Sequence, residues 1–314
     1  MAASSSVRRY NLIATALLAG AAIIAVGVWF LLGEPRSMMQ VSAQTRSLAY
    51  TVTNPNVAAI AFPGEALLQP GPGRPADCLA GTLSPAMGTR VDYAIVGGNI
   101  LRIVLTGETG AALATFVDAA GQTHALEPGA SLAFGTGLRC AVPEGMVRLP
   151  VWGDARIGEL PRAVSSAPGR VDVGPILLDG RIDVFGVSRR TTASGQPNLY
   201  PAGSFTVSAG SAIEALAGER ADATAMRGFA LFDPRDSMGR TGQLDARLTT
   251  DADRLVLRRW GSESGGEVIE VDLMAQLFGD PALLRLQALL AMLILALTSV
   301  AAILQVFTPS GGAE

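Results

Sequence analysis

Two stretches of 22 residues without a charged side chain, Leu12–Gly33 (LIATALLAGAAIIAVGVWFLLG) and Leu286–Phe307, stand near opposite ends of a 314-residue chain. At 1.5 Å per residue a helix of that length matches the roughly 30 Å hydrocarbon core of a bilayer. Each run comes with its own boundaries. Gly33-Glu34-Pro35 reads as a helix stop, and Asp280-Pro281 supplies an N-cap aspartate and a proline for the first helical position. The second helix is therefore expected over 281–307, with Arg285 in its first turn reaching back to the interface. Composition agrees, because 49% hydrophobic and 16% charged residues with a mean hydropathy of +0.36 are unusual for a soluble domain, and the excess sits in these runs.

A cleaved signal peptide competes for the first run, since Val41-Ser42-Ala43 has the small-residue pattern of a cleavage site. The run exceeds the ~7 to 15 residues of a signal core and has no such site directly at its end, so an uncleaved anchor is expected. A buried core helix competes for the second run, which is longer than such helices usually are. Arginine is retained on the cytoplasmic side, so Arg8 and Arg9 put the N-terminus inside. The expected layout is a cytoplasmic tail 1–11, a transmembrane helix 12–33, an extracytoplasmic β-rich region 34–280, a second helix 281–307 and a cytoplasmic tail 308–314, fixed there by parity alone. Within the first helix Ala16, Gly20, Ile23 and Gly27 fall within about 60° of one another at 100° per residue, a face of mostly small side chains that would let another helix approach closely.

Between the runs, turn signals recur at short intervals and the pieces between them alternate or are briefly apolar, with no long stretch at helical period. Strands are expected at 47–53, 90–96, 100–106, 111–117, 131–134, 146–152, 175–178, 181–187, 204–208, 228–232, 243–249 and 254–260. A dozen short strands predict a mainly-β domain, a sandwich or a barrel, or two small β subdomains meeting near the linker-like Ser165–Gly169. Asp179-Gly180 is the clearest hairpin turn, since Asp-Gly tolerates the positive φ of a type I′ turn. Val271, Leu273, Met274, Leu277 and Phe278 would share one face of a short amphipathic helix ahead of the second run. LEPGASLAFGTG from Leu126 and LYPAGSFTVSAG from Leu199 match at a few places 73 residues apart, a similarity that a chain rich in Gly, Ala and Ser produces by chance.

Cys78 and Cys140, the only cysteines, both lie in the region expected outside, where an oxidising compartment would let them pair, and a bond closing so long a loop would stabilise the fold by on the order of 4 kcal/mol. Two cysteines and one distant histidine lack zinc-ligand spacing, so no metal is expected. The chain has no lysine, which removes a P-loop, a Schiff base and a Ser-Lys dyad, and its one histidine, His124, sits in the turn-rich GQTHALEPG with no nucleophile-elbow serine. Asp179 with Asp183, Asp233 with Asp236 and Asp251 with Asp253 are carboxylate pairs, each beside an expected turn that aspartate serves structurally. No catalytic residue and no cofactor is expected. A formal net charge of −3 disfavours nucleic acid, and Arg189-Arg190 and Arg258-Arg259 read as solvated charge at strand ends, with local anion or lipid-headgroup contact as the alternative.

The function expected from this inventory is a non-enzymatic accessory or scaffold subunit of a bacterial cytoplasmic-membrane complex. Its partners would be the lipid bilayer and other membrane or periplasmic proteins, through docking or self-assembly. A membrane-tethered envelope hydrolase using a carboxylate pair is the alternative. Arginine in place of every lysine points to a high-GC bacterium and thereby to a periplasm.

Overall fold

A computed structural model of the chain describes residues 20–21, 36–108, 112–141, 145–159, 176–188, 198–215, 225–234, 242–252, 254–259 and 267–270, with eight single positions between 284 and 299. Those eight, Leu284, Arg285, Gln287, Ala288, Ala291, Met292, Leu295 and Ser299, are all helical and all exposed. Among the described residues no helix is long and apolar enough to cross a membrane. Most of 12–33 and 281–307 lies outside the described residues, as do Ala16, Ile23, Gly27 and the stretch Val271–Phe278. Two compact units divide the chain, one of Met1–Arg36, Gly186–Tyr200 and Leu273–Glu314, the other of Ser37–Phe185 and Pro201–Asp272.

The second unit is a mainly-β body of antiparallel strands. Its first half contributes β1 (Arg36–Thr45), β2 (Ser47–Val52), β3 (Ile60–Gln69), β4 (Asp77–Pro85), β5 (Arg90–Val96), β6 (Ile100–Thr106), β7 (Ala114–Asp118), β8 (Thr123–Leu126), β9 (Ser131–Gly135) and β10 (Val147–Ile157). The remaining strands are β11 (Leu177–Ser188) and β12 (Asn198–Val207), whose stretches 186–188 and 198–200 fall in the first unit, and β13 (Ser211–Ala215), β14 (Ala225–Phe232), β15 (Leu244–Thr250), β16 (Arg254–Arg259) and β17 (Glu267–Glu270). One ladder runs β10-β2-β5-β6-β9-β3-β4-β7-β8. From the other edge of β10 two more leave, β14-β15-β1 and β13-β16-β17.

β10 is thus the strand that joins the ladders, and Gly153 is the first of its residues with both edges occupied, paired with Met226 on one side and Val52 on the other. Its φ of +154° belongs to the region that favours glycine, and an added Cβ would stand 1.7 Å from the Thr51 carbonyl oxygen. Alternation does the rest. In β6 and β10 every second residue is buried, and the inward side chains of all three ladders merge into a single cluster reaching from Met39 to Ile269. Phe62 lies 6.3 Å from Phe116 and 5.7 Å from Phe134, ring centroid to centroid, and each fully buried side chain of this size contributes about 1.5–3 kcal/mol.

Several expectations meet the structure strand for strand: 90–96 and 100–106 are β5 and β6, and 47–53 differs from β2 by one residue. The Asp179-Gly180 hairpin does not exist. β11 runs through it unbroken, merging the strands expected at 175–178 and 181–187, and Gly180 is absent from the positive-φ glycines. The Asp179 carboxylate accepts from its neighbour's N–H, Gly180 N, at 2.9 Å. The glycine serves packing instead, because a Cβ there would come within 3.2 Å of Val207. The matched segments at Leu126 and Leu199 occupy unlike positions, the first spanning the end of β8, a turn and β9, the second lying mostly within β12. Residues 165–169 lie outside the described residues.

Six strands had no sequence expectation: β1, β3, β4, β8, β13 and β17. β3 contains Pro63-Gly64, which reads as a turn but is absorbed by a shift of register between Ala61 and Glu65. In β4, Gly81 passes so close to β7 that a Cβ would lie 2.2 Å from the Val117 carbonyl oxygen.

Candidate functional site

Cys78 on β4 and Cys140 beyond β9 form a disulfide, with Cα atoms 5.4 Å apart and a sequence separation of 62. The pairing expected from compartment chemistry is therefore present. Glu65 stands beside it, its Oε2 accepting from the Ala141 N–H at 3.1 Å. Glu65, Cys78 and Cys140 present their ligand atoms within 4.8 Å of one another, but sulfurs bonded to each other offer no thiolate to a metal.

His124 lies on β8 opposite Phe116 of β7, its side chain about one-third exposed. Its Nε2 is 3.0 Å from Asp118 Oδ2, while the other carboxylate oxygen accepts from the N–H groups of Ala120 (3.0 Å) and Gln122 (2.8 Å). The hydrogen bond from His124 is the main reason the Asp118 pKa is lowered, with the two turn amides adding to it and desolvation opposing. Both carboxylate oxygens of Asp118 serve the β7–β8 turn, which makes the pair a turn clamp. Among the described members of the carboxylate pairs, Asp183 and Asp251 each have an arginine partner. Asp183 is 2.8 Å from Arg181 Nε, and that bond, helped by Ser204 and opposed by burial, lowers its pKa. Asp251 is paired with Arg227. Asp236 and Asp253 lie outside the described residues.

The largest polar constellation was not foreseen in the sequence. Arg90 bonds Asp92 (3.1 Å) and Glu159 (2.9 Å), Glu159 also meets Arg156 (3.4 Å), Arg156 meets Glu214 (2.8 Å), and Glu214 meets Arg258 (3.3 Å). The register dictates it, since Asp92, Ala49, Arg156 and Glu214 are successive cross-strand partners on one face of β5, β2, β10 and β13. Asp92 is 2% exposed, and burial there works against the Arg90 charge, yet the two carboxylates outweigh it and raise the Arg90 pKa. Three arginines and three carboxylates balance in formal charge, and the chain of charges ties strands together. Arg258, expected as solvated charge, is its exposed end; Arg189 and Arg190 lie outside the described residues.

A second buried polar pair ties β2, β5 and β10. The Tyr50 and Tyr93 hydroxyls are 3.3 Å apart and Tyr93 donates to the Pro150 carbonyl at 3.1 Å. Desolvation pushes the Tyr50 pKa up to about 12 and that of Tyr93 well above its ordinary value.

On the outward face of β10 and β14 the arrangement changes character. Pro150 pairs with Phe229 and Trp152 with Arg227. The Arg148 guanidinium lies 4.3 Å from the Phe229 ring centre and that of Arg227 5.5 Å from the Trp152 ring, with Asp251 holding Arg227 from beyond. Phe229 and Trp152 are half-buried, so two aromatic faces are presented beneath two cations. Aromatic and arginine side chains on one outward strip are the composition of interface hot spots. The expected strands 146–152 and 228–232 already implied the alternation; only the pairing of β10 with β14 brings the two rows together.

No family model, curated protein or solved structure matches this chain.

Proposed function

We propose that the protein is a non-enzymatic scaffold subunit of a bacterial cytoplasmic-membrane complex, anchored by transmembrane helices over 12–33 and 281–307, with both termini inside and the β body in the periplasm. The observation that carries the docking role is the strip of Arg148, Pro150, Trp152, Arg227 and Phe229, whose aromatic and cationic side chains face away from the core. The anchor rests on the two uncharged runs, and on helical Leu284, Met292 and Leu295 being 51%, 60% and 68% exposed, an arrangement that water disfavours and lipid accepts. A β body that begins at Arg36, only a few residues after the first run, would be held at the membrane surface, which suits a subunit that positions partners. β1 also argues for an uncleaved anchor: Val41 and Ala43 are buried and paired with Leu248 and Ala246, so cutting after Ala43 would sever the strand within its ladder.

Two experiments test the reading. Purification in mild detergent followed by mass spectrometry should recover a membrane or periplasmic protein with the wild-type chain, and Trp152→Ala with Phe229→Ala should lose it at unchanged abundance. Recovery equal to wild type would remove the strip from the docking role. Alkaline phosphatase fused near Gly195 should be active and at the C-terminus inactive; the reverse would defeat the topology. If Ala at His124, Asp179 or Asp183 abolished the cellular phenotype while abundance and partner recovery stayed normal, the protein would be an enzyme.

A further inference from the structure

Along the outward face of β10, Arg148, Pro150, Trp152 and Asp154 follow one another, so that an exposed arginine and an exposed aspartate bracket two half-buried apolar groups. Among the described residues neither charge is met by its opposite. Arg148 stands across from Leu231 with its guanidinium over the Phe229 ring, while Asp154 lies between Ala225 of β14 and Thr51 of β2. The next outward residue, Arg156, is already tied to Glu159 and Glu214. Phe229 and Leu231, both half-buried, widen the apolar centre across β14. Two unspent charges of opposite sign therefore flank an aromatic centre symmetrically, about 20 Å apart at ~3.3 Å per residue.

We infer that this strip is the contact between two copies of the chain, packed face to face about a two-fold axis lying across the strands at Val151. The inference rests on the docking reading above and names its partner. In an isologous contact residue i meets residue j and j meets i, so a surface suits it when a half-turn carries it onto its own complement. About Val151 the half-turn sets Arg148 against the partner's Asp154 and Asp154 against the partner's Arg148, with Pro150 against the partner's Trp152. On β14, level with it, Phe229 meets the partner's Arg227. On β15 Asp245 comes toward the partner's Asp251; Arg247, two residues along that strand, and Arg227, bonded to Asp251, stand beside these carboxylates. Sheets packed face to face cross at about 30°, which at about 10 Å from the axis moves a residue sideways by about 5 Å, within reach of an arginine side chain. An unrelated partner places no demand for opposite charges on the two ends of β10; a second copy does.

The test uses the full chain in mild detergent, co-expressed with two different affinity tags. Wild-type chains should capture each other and give a dimer mass by light scattering. Arg148→Asp sets like charges face to face, as does Asp154→Arg, and each variant alone should self-associate about tenfold more weakly with its circular dichroism unchanged. Co-expressed, the two variants should pair again, because each end of one then meets its opposite charge on the other. Three results overturn the second copy: wild-type chains that do not capture each other, capture that neither change weakens, as pairing through the transmembrane helices alone would give, or a mixture that pairs no better than the single variants. The docking reading is then judged separately. A different protein recovered with wild type and lost with Trp152→Ala and Phe229→Ala upholds it, and recovery that these changes leave equal removes it as well.

Discussion

Removing the Cys78–Cys140 bond, by Cys78→Ala with Cys140→Ala, should lower the stability of the β body by about 4 kcal/mol. The figure comes from the 62-residue separation: a loss of about 14 cal/mol/K in the unfolded chain from closing such a loop, at 25 °C. The double variant is used because a single one would leave a thiol at Cys140, which is only 9% exposed. The bond fastens β4 to the segment that follows β9, where Glu65 also accepts from Ala141 N. For a body of this size each kcal/mol moves the midpoint by roughly 2–4 °C, which predicts a fall of about 8–16 °C in thermal unfolding followed by near-ultraviolet circular dichroism in detergent. Wild-type protein with a thiol reductant should fall by the same amount and the double variant should be indifferent to it. A midpoint within about 2 °C of wild type, or two thiols freely alkylated in the folded, unreduced protein, would refute the reasoning.

Gly153→Ala should cost about 2–5 kcal/mol, the sum of left-handed backbone strain and overpacking against the Thr51 carbonyl, read as a lowered urea midpoint. Arg90→Ala should cost about 3 kcal/mol, because it takes the guanidinium from Asp92 in the interior, whereas Arg74→Ala, which breaks an exposed pair with Glu127, should leave the midpoint unchanged; equal effects would mean that burial does not control these pairs. Tyr50 should remain neutral past the pH at which an unfolded tyrosine ionises. Since its folded pKa is the higher one, stability is complete below pH about 10 and is lost as pH rises toward about 12, which absorbance at 295 nm and circular dichroism should show as one coincident transition; Tyr50→Phe should lessen the pH dependence.

Composition and period were enough to predict a mainly-β region between two uncharged runs, the boundaries of β5 and β6, and a bond between two cysteines that share one compartment. These features are local: alternation is written into consecutive residues, and a lone pair of thiols leaves no choice of connectivity. Glycine was ambiguous for a physical reason. The same missing Cβ serves a turn or a close approach, and at Gly180 the neighbour that decides is Val207, 27 residues away, so an Asp-Gly pair that looks like a hairpin became the middle of β11. Pro63-Gly64 sits within β3 for a similarly non-local reason, because the register shift that accommodates it depends on β4. The cross-strand features lay beyond any local signal: the charge chain from Asp92 to Arg258 and the strip of Trp152 and Phe229 exist only because β10 pairs with β2 on one edge and with β13 and β14 on the other. Apart from Arg258, their members carry no sequence signal of their own, and a shift of one residue in register would turn each of them to the opposite face.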